Sequence, residues 1–203
     1  MPSSDAPLEI RDRCAPDFLA GLVADQGIGA FSRYSPQAAE RQLAALAKVA
    51  ALPWGRVLVA HQGPLLMAYL TFHPPEADSR WGSLPSGQVF ELGGIEVTRA
   101  LRGRGLARQL MHRAFSPPDF DGVIVYAQAL TWCWDLPGSG LSMADYRQMM
   151  LRLFEGSGFK PYVTDEPNIR YDRANLLLVR IGPKTSATLK EQFQTTLVEK
   201  GEA

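Results

Sequence analysis

The stretch Phe90–Phe115, FELGGIEVTRALRGRGLARQLMHRAF, decides the fold of this chain. It reads as a strand, then a basic glycine-rich turn (residues 102–107, RGRGLA), then a helix whose apolar residues recur at helical spacing. Backbone N–H groups at the start of a helix lack intrahelical partners, and the helix dipole adds partial positive charge there. Glycines let a ligand approach the backbone and arginines add full charge, so the turn favours capture of a phosphate or pyrophosphate.

Length and composition indicate an ordinary globular protein with one domain, or one domain and an appendage. The chain has 203 residues, of which 46% are hydrophobic and 21% are charged. Lys plus Arg and Asp plus Glu number 21 each. This balance argues against a general binder of nucleic acid or of anionic membranes, so any anion site is local, as the Arg102–Arg108 cluster would be.

Targeting and metal-binding signals are absent from the sequence. No apolar run approaches the roughly 20 residues of a membrane span, and the N-terminus lacks the apolar core of a signal peptide. Cys14 and Cys133 stand in no metal-ligand or CxxC spacing, and the three histidines are scattered. We therefore expect a cytoplasmic protein with reduced thiols and no bound metal.

Periodicity along the chain predicts an α/β (α+β) fold, with a mixed, mostly antiparallel sheet of about seven strands flanked by helices. The predicted strands are Leu8–Arg11, Arg56–His61, Leu65–Phe72, Gln88–Val97, Gly122–Gln128, Phe159–Thr164 and Asn175–Ile181. The predicted helices are Pro16–Ala24, one that begins at Ser35-Pro36 and passes Val49, Gly105–Phe115, Ser142–Glu155 and Thr185–Lys200. The motif strand, its helix and Gly122–Gln128 form a parallel βαβ unit.

The domain organisation follows from these elements. We expect residues 1–7 to be a flexible N-terminus, residues 8–182 to form the domain, and residues 183–203 to append a helix. Between the predicted elements, the segments His73–Gly87, Leu130–Ser142 and Asp165–Arg173 are expected to be irregular.

Four interpretations of the glycine turn compete. A dinucleotide-binding fingerprint requires GxGxxG, whereas Gly103 and Gly105 are followed by Ala107 and Arg108, one residue short of that spacing. A P-loop requires GK[ST], which the turn lacks. A tight turn whose arginines merely face solvent and a binding site for acyl-CoA both stay open.

The pattern Arg102-x-x-Gly105-x-Ala107 resembles the [QR]-x-x-G-x-[GA] signature of the GCN5-related N-acetyltransferases (GNAT), which also lies between the fourth strand and the next helix. Several blocks are similar to the acetoin utilization protein A group of acetyltransferases. They are LPWGRVLVA (52–60), Arg80-Trp81, ELGGIEV (91–97), TWCWDLPGSGLSMADYRQMM (131–150) and TDEPNIRYDRANLLLVRIG (164–182). The resemblance covers roughly residues 30–182. It implies a GNAT fold and acetylation of a lysine of acetyl-CoA synthetase, which switches the synthetase off.

The resemblance also implies how acetyl-CoA, the acetyl donor, would bind. The backbone of Ile95, Glu96 and Val97 would line the pantetheine arm in the manner of an added strand. The pyrophosphate would be held by Arg102, Gly103, Arg104, Gly105, Leu106 and Ala107. The side chains of Ile95 and Val97 can pack in the core at the same time.

The chemistry needs a base, because a lysine amine with a pKa of about 10.4 has to lose a proton before it attacks a thioester. Alternation along the motif strand puts Glu91 on the face of Gly93, Ile95 and Val97, and Glu96 on the other face. The resemblance favours Glu91, since lysine-acetylating members carry their catalytic glutamate at this strand position. Glu96 as the base and a purely structural Glu91 are the alternatives. The glycines at 93 and 94 either leave room beside the strand or mark a β-bulge.

The leaving thiolate needs a proton, which a tyrosine four residues before a Gly-Phe pair often supplies in the superfamily. Here Gly158-Phe159 puts Phe154 at that position, so Tyr146, two turns earlier, is the substitute, with solvent as the other option. We expect direct attack by the amine rather than a covalent intermediate on Cys133.

The segment Leu130–Ser142 after the fifth strand, which we call the tryptophan loop, is the candidate acceptor site. Trp132, Trp134 and Asp135 offer aromatic walls and a carboxylate that suit a lysine stem and its ammonium group, although both tryptophans could instead bury the loop. Two other functions stay open, namely acetylation of a small amine or amino acid and a non-catalytic acyl-CoA-binding regulatory module. The oligomeric state is also open, with a homodimer as one option.

Overall fold

The computed structural model describes residues 6–28 and 37–198. Its strands are β1 (Leu8–Arg11), β2 (Val23–Ala24), β3 (Arg56–Gln62), β4 (Leu65–His73), β5 (Val89–Val97), β6 (Ile124–Ala129), β7 (Lys160–Tyr162) and β8 (Leu176–Ile181). Its α-helices are α1 (Pro16–Ala20), α2 (Ala38–Ala51), α3 (Leu106–Phe115), α4 (Leu136–Ser139), α5 (Met143–Glu155), α6 (Pro167–Arg170) and α7 (Ala187–Thr195). The predicted fold class, a mixed and mostly antiparallel sheet with helices, is confirmed.

The first of two compact units comprises the chain up to His73 together with Gly93–Ser116. In it β1, β3 and β4 are antiparallel neighbours, β5 follows β4, and β2 pairs in parallel with β4. Its core cluster consists of Cys14, Leu19, Leu22, Ile28, Leu46, Val57, Val59, Leu66 and Tyr69. Helix α3 buries the apolar residues that its sequence spacing predicts, Leu106, Leu110, Met111 and Ala114.

The second unit comprises Pro74–Leu92 and the chain from Pro117 onward. Here β6 runs parallel to the start of β5 and antiparallel to β8, which in turn pairs with β7. All but one residue of β6 is buried, as predicted for a strand covered on both faces. The parallel pairing of β5 with β6 confirms the predicted βαβ unit.

The segment predicted as one helix, Pro16–Ala24, instead forms a short helix and a short strand. The N–H of Gly21 donates to the carbonyl oxygens of Asp17 and Phe18, both at 3.2 Å, and closes the last turn of α1. The N–H of Val23 then donates to the carbonyl of Pro64 at 2.8 Å, and this pairing creates the eighth strand. The helix start predicted at Ser35-Pro36 lies outside the described residues.

Two further segments differ from the prediction. The polar stretch after β7 contains α6, whose N-cap Glu166 accepts a hydrogen bond from the N–H of Ile169 at 2.9 Å, with Pro167 in the first turn. The C-terminal helix ends at Thr195, where the N–H groups of Thr196 and Leu197 donate to carbonyls three residues back, at 3.1 and 3.2 Å, and its predicted end at Lys200 lies outside the described residues.

Candidate active site

The turn after β5 needs glycine for its backbone conformation. Gly103 and Gly105 have φ angles of 75° and 78°, in the left-handed region that residues with a side chain avoid. A Cβ added at either position would meet nothing within 4 Å among the described residues. The two glycines therefore set the shape of the turn and leave its outer side open to a ligand.

The N-terminus of α3 offers backbone donors to that open side. Gly105 is the N-cap, and no side chain of the described chain caps this ten-residue helix. Leu106 is buried, so it offers only its backbone, as does Ala107, whereas the guanidinium of Arg104 is exposed. Arg102 donates from Nε to the carbonyl oxygen of Val97 at 3.1 Å, which ties the turn to the end of β5. The arrangement suits a bound anion.

The same helix carries Arg108, part of the basic cluster expected from the sequence, and two polar residues that the sequence analysis did not assign to the site, Gln109 and His112. Gly105, Arg108, Gln109 and His112 line an open depression on α3. Arg108 and His112 are one helical turn apart on the face opposite the apolar stripe, a spacing that was readable in the sequence. These side chains continue the basic and polar surface beyond the turn.

Strand β5 contains an irregularity at Gly93-Gly94. Cβ atoms added to these two adjacent residues would lie 3.4 and 3.7 Å from the same atom, Thr71 Oγ1 of β4, so both residues face the same way, as in a β-bulge. Tyr69, on that face of β4, contacts the Gly94 position and donates from its hydroxyl to Glu96 Oε2 at 3.0 Å. The expectation that alternation places Glu96 on the face opposite Gly93 is therefore wrong, because the bulge resets the alternation.

The remaining strand residues expected to line a cofactor are Ile95 and Val97, and both are half-buried. The carbonyl of Val97 is occupied by Arg102. The next residue, Thr98, is fully buried and donates from its N–H to the carbonyl of Met67 at 2.8 Å. The last residue of β5 and the residue after it are thus each fixed by a hydrogen bond, from Arg102 and to Met67 respectively.

Glu91 lies opposite Tyr126 in the parallel ladder between β5 and β6. The hydroxyl of Tyr126 donates to Glu91 Oε2 at 2.9 Å, and Gln128 Nε2 lies 3.5 Å from Oε1. Burial, and then the charge of Glu91, raise the pKa of the Tyr126 phenol, so the hydroxyl stays protonated and remains a donor. Glu91 itself is half-buried. An oriented carboxylate that solvent can reach is suited to accept a proton.

Gln128 is a further residue that sequence reasoning missed. Its Oε1 atom is buried and has no hydrogen-bond partner among the described residues. A buried carbonyl without a donor is costly, and a donor from a substrate or a water would satisfy it. Only the pairing of β6 beside Glu91 reveals this, since a lone glutamine in an apolar strand carries no signal of its own.

The tryptophan loop separates its three candidate residues. Trp134 is 4% exposed and stacks on Tyr146, with ring centroids 4.9 Å apart. Asp135 is buried and accepts the N–H of Gly138 at 3.1 Å, which caps α4. Trp132 is 45% exposed and meets the ring of Tyr171 edge-on at 5.9 Å. Trp132 is therefore the member of the three that an incoming side chain can contact.

Tyr146 and Phe154 lie in different surroundings on α5. Phe154 is fully buried and packs edge-on against Phe159 at 5.1 Å. Tyr146 is half-buried, with one ring face covered by Trp134. The stacking restricts the orientation of the Tyr146 ring, and Tyr146 is the tyrosine that α5 contains.

Neither a metal-ligand cluster nor a membrane-spanning helix occurs within residues 6–28 and 37–198. No group of three or more His, Cys, Asp or Glu there could hold a metal ion. No helix in these ranges is long and apolar enough to cross a membrane.

Comparison with known proteins gives a consistent assignment. The chain is 31% identical over 186 residues to the acetoin utilization protein AcuA of Bacillus subtilis, covering 92% of this chain and 86% of the relative. It is 32% identical over 154 residues to AcuA of Bacillus licheniformis, covering 76% and 73%. No protein-family profile matches the chain.

Solved structures agree. The acetoin utilization protein from Exiguobacterium sibiricum matches with a TM-score of 0.88 at 31% identity, over 98% of this chain and 92% of that chain. The Salmonella typhimurium protein yncA, solved with its cofactor acetyl-CoA, shares the fold with a TM-score of 0.56 at 16% identity, over 90% and 97%. The chain belongs to the family of the acetoin utilization protein AcuA, and its fold is the one shared by acetyltransferases of the GNAT family.

Proposed function

We propose that this protein transfers the acetyl group of acetyl-CoA to a lysine side chain of acetyl-CoA synthetase and so down-regulates the synthetase. The observation that carries the proposal is the uncapped N-terminus of α3 behind two left-handed glycines, Gly103 and Gly105, which suits the pyrophosphate of an acyl-CoA. The resemblance to the acetoin utilization group supports the synthetase as acceptor.

Acetyl-CoA, the acetyl donor, is held mainly by the protein backbone. Ile95, Glu96 and Val97 line its pantetheine arm. The backbone N–H groups of residues 102–107 donate hydrogen bonds to its pyrophosphate, and exposed Arg104 adds a positive charge beside it. Arg108 and His112, on the depression of α3, extend this surface toward the outer phosphate of the cofactor. The fold shared with yncA, a protein solved with its cofactor acetyl-CoA, supports this role.

Glu91 is the base of the proposed reaction. It takes a proton from the lysine ammonium, directly or through one water, and the neutral amine attacks the thioester carbonyl carbon. A C–N bond forms, the C–S bond breaks, CoA leaves as a thiolate, and the acylated nitrogen loses its second proton to solvent to give the neutral amide. The Tyr126 hydroxyl at 2.9 Å holds the Glu91 carboxylate in place, and the unsatisfied Gln128 Oε1 accepts an N–H of the amine or an O–H of the water.

Tyr146 is the proton donor to the departing thiolate. A thiol has an ordinary pKa of about 8.5, so protonation helps the thiolate to leave but is not indispensable at neutral pH. The stacking of Tyr146 on Trp134 at 4.9 Å orients the phenol. A Tyr146→Phe variant that keeps full activity would assign this proton to solvent.

The tryptophan loop selects the acceptor. Exposed Trp132, with Tyr171 beside it, offers aromatic surface to the lysine stem and its charged end. Buried Trp134 and the helix-capping carboxylate of Asp135 keep the loop in shape, and they contribute to acceptor binding through that shape.

The decisive experiment incubates the purified protein with acetyl-CoA and acetyl-CoA synthetase and reads lysine acetylation by mass spectrometry. We expect acetylation of specific lysines and loss of synthetase activity, both dependent on acetyl-CoA and on the enzyme. Acetylation no faster than the chemical background without enzyme would overturn the synthetase as acceptor.

A panel of small amines and amino acids, assayed in parallel, separates the other functions. Turnover of a free amine without acetylation of the synthetase would identify a small-amine acetyltransferase. The buried phenylalanine at 154 favours one further candidate, a regulatory module that binds acyl-CoA without turnover. Tight binding of acetyl-CoA with no acetylation of any acceptor would identify that module.

A further inference from the structure

The C-terminal helix α7 packs into the same core cluster as Tyr126. Phe193 of α7 is fully buried, as are Tyr126 of β6 and Trp81 of the segment before β5, and all three belong to one cluster. The acetyl-transfer chemistry proposed above gives this helix no role. Its contacts nevertheless lead toward Glu91.

Trp81 and Phe193 pack against the ring of Tyr126 and against each other, so the three rings form an aromatic triangle. The centroids of Trp81 and Tyr126 are 4.2 Å apart, and Phe193 lies 6.4 Å from Tyr126 and 6.5 Å from Trp81. The planes of Trp81 and Phe193 are within 13° of parallel. Such offset contacts restrict the rotation of the Tyr126 ring beyond what burial alone does.

Hydrogen bonds at the end of α7 hold the aromatic triangle in place. Arg80, next to Trp81 in the sequence, pairs with Asp165 and donates to the carbonyl oxygens of Thr196 and Leu197 at 3.1 and 3.0 Å. The hydroxyl of Thr164 and the N–H of Asp165 also donate to Leu197, at 2.5 and 3.1 Å. Adjacent residues thus hold both the end of α7 and one face of the Tyr126 ring.

The hydroxyl at the far end of this ring meets the candidate base, because Tyr126 Oη donates to Glu91 Oε2 at 2.9 Å. A ring that cannot turn fixes the position of its hydroxyl, and a fixed donor selects one rotamer of the acceptor carboxylate. A base has to be held close to its productive geometry to remove a proton efficiently.

We propose that Tyr126 is the positioning residue for Glu91, and that α7 supports catalysis by packing Phe193 against both Tyr126 and Trp81. The inference rests on the proposed function, in which Glu91 is the base. It assigns the C-terminal helix a defined task in acetyl transfer.

Other groups also act on the Tyr126 hydroxyl. The carboxylate of Glu76 and the hydroxyl of Ser79 face it from the segment before β5, and Gln128 of β6 contributes its amide beside Glu91. Burial and the two carboxylates raise the pKa of Tyr126. The Tyr126 hydroxyl therefore stays protonated and donates throughout the pH range in which the enzyme works. If the hydroxyl is removed, any change in pH dependence comes from the Glu91 carboxylate.

Tyr126→Phe keeps the ring and removes the hydroxyl. We expect kcat to fall by about tenfold or more, the factor that one hydrogen bond to a charged group is worth, with an unchanged Kd for acetyl-CoA. The acidic limb of kcat/KM moves to higher pH, because the carboxylate form loses a donor. Tyr162→Phe, the same substitution beside the same core cluster, serves as the control. We expect it to leave kcat and the acidic limb of kcat/KM unchanged. Wild-type kcat and an unmoved acidic limb in Tyr126→Phe would overturn the inference.

Phe193→Ala removes the ring that packs against Tyr126 and Trp81. Phe193→Leu keeps most of the side-chain volume and serves if the alanine variant folds poorly. We expect each to lower kcat without raising the Kd for acetyl-CoA, the leucine variant less. In a Tyr126→Phe background the same changes lower kcat no further, because the hydroxyl through which they act is gone. Full additivity of the two substitutions in kcat would overturn the route through Tyr126.

A double-mutant cycle between Tyr126→Phe and Glu91→Gln, measured on unfolding in urea, reports the contact without any substrate. Non-additive shifts of the unfolding midpoint combined with no acetylation of any acceptor would remove the proposed function but leave the contact. Acetylation of the synthetase with additive shifts would leave the function and remove the positioning role.

Discussion

Glu91 and Glu96 are each held by a tyrosine hydroxyl, from Tyr126 at 2.9 Å and from Tyr69 at 3.0 Å. Their neighbours distinguish them. Beside Glu91 lies Gln128, whose buried carbonyl oxygen has no hydrogen-bond partner among the described residues. A hydrogen-bond donor from a substrate or a water can bind to this oxygen. This difference favours Glu91 as the base.

Glu91→Gln removes the proton acceptor and keeps the shape of the side chain. We expect kcat to fall by about 100-fold or more, the usual contribution of a general base, with the Kd for acetyl-CoA unchanged. Stopped-flow transfer assays and calorimetric titration with acetyl-CoA measure the two quantities. Glu96→Gln is the comparison, and a larger loss of kcat there than in Glu91→Gln would transfer the role of base to Glu96.

Gly105→Ala tests the turn. Because φ is 78° and no described atom lies within 4 Å of the added Cβ, the cost is backbone strain of about 1–2 kcal/mol rather than a clash. If the turn shifts to relieve that strain, binding of acetyl-CoA weakens by about tenfold. Gly122→Ala, at a glycine with equally open surroundings and no positive φ, is the matched control. Equal affinity of the two variants for acetyl-CoA would separate the turn from cofactor binding.

At the scale of elements, a hydrogen-bonded junction joins the segment after β2 to the end of β5. The hydroxyl of buried Thr98 donates to the carboxylate of Asp25, which also accepts the N–H of Gly27 at 2.9 Å. Thr98 is the residue from which the chain turns toward the anion-binding turn. The junction therefore fixes where that turn begins.

Thr98→Val replaces the hydroxyl by a methyl group of the same size. Loss of a buried donor to a carboxylate should lower the free energy of unfolding by about 1–3 kcal/mol. Thr98→Ser keeps the donor and should recover most of that loss in urea unfolding. A Ser variant as unstable as the Val variant would show that the methyl group, not the hydrogen bond, stabilises the junction.

At the scale of the whole molecule, long-range pairs connect residues far apart in the chain. Asp12 and Arg56 form a bidentate pair with N–O distances of 2.9 and 2.7 Å, and both side chains are largely buried. Burial by itself would raise the pKa of Asp12, but the hydrogen bonds and charge of Arg56 outweigh it and lower the pKa. A lowered pKa in the folded state links this pair to acid stability.

The sign of the pH effect follows from that direction. The pair stabilises the fold above the unfolded-state pKa of about 3.9, and this contribution is lost as the pH falls through the lower folded-state value. We expect Asp12→Asn to lower the free energy of unfolding near pH 7 by about 3–5 kcal/mol and to flatten its dependence on pH below about 4. Urea unfolding between pH 3 and pH 7 measures both. The exposed Asp78→Asn serves as control, and the same loss in it would contradict a specific role for the pair.

Predictability differed with the range of the interactions. The turn at Gly103 and Gly105, the buried stripe of α3 and the Ser142 cap of α5 were predictable, because neighbours in the chain set these conformations. The short strand β2 was not, because its identity depends on a partner about 40 residues away. The Gly93-Gly94 bulge was open in the sequence, since two glycines fit either a bulge or free space.

The candidate site divides in the same way. The sequence by itself determined the mixed sheet, the family and the residue types of the site, because periodicity and motif spacing are properties of neighbouring residues. The tertiary structure alone decided that the Tyr126 hydroxyl donates to Glu91, that Trp132 rather than Trp134 is exposed, and that Phe193 of α7 packs beside Tyr126. Such contacts join residues that are distant in the chain, and burial and hydrogen-bond partners are properties of the packed molecule rather than of any local pattern.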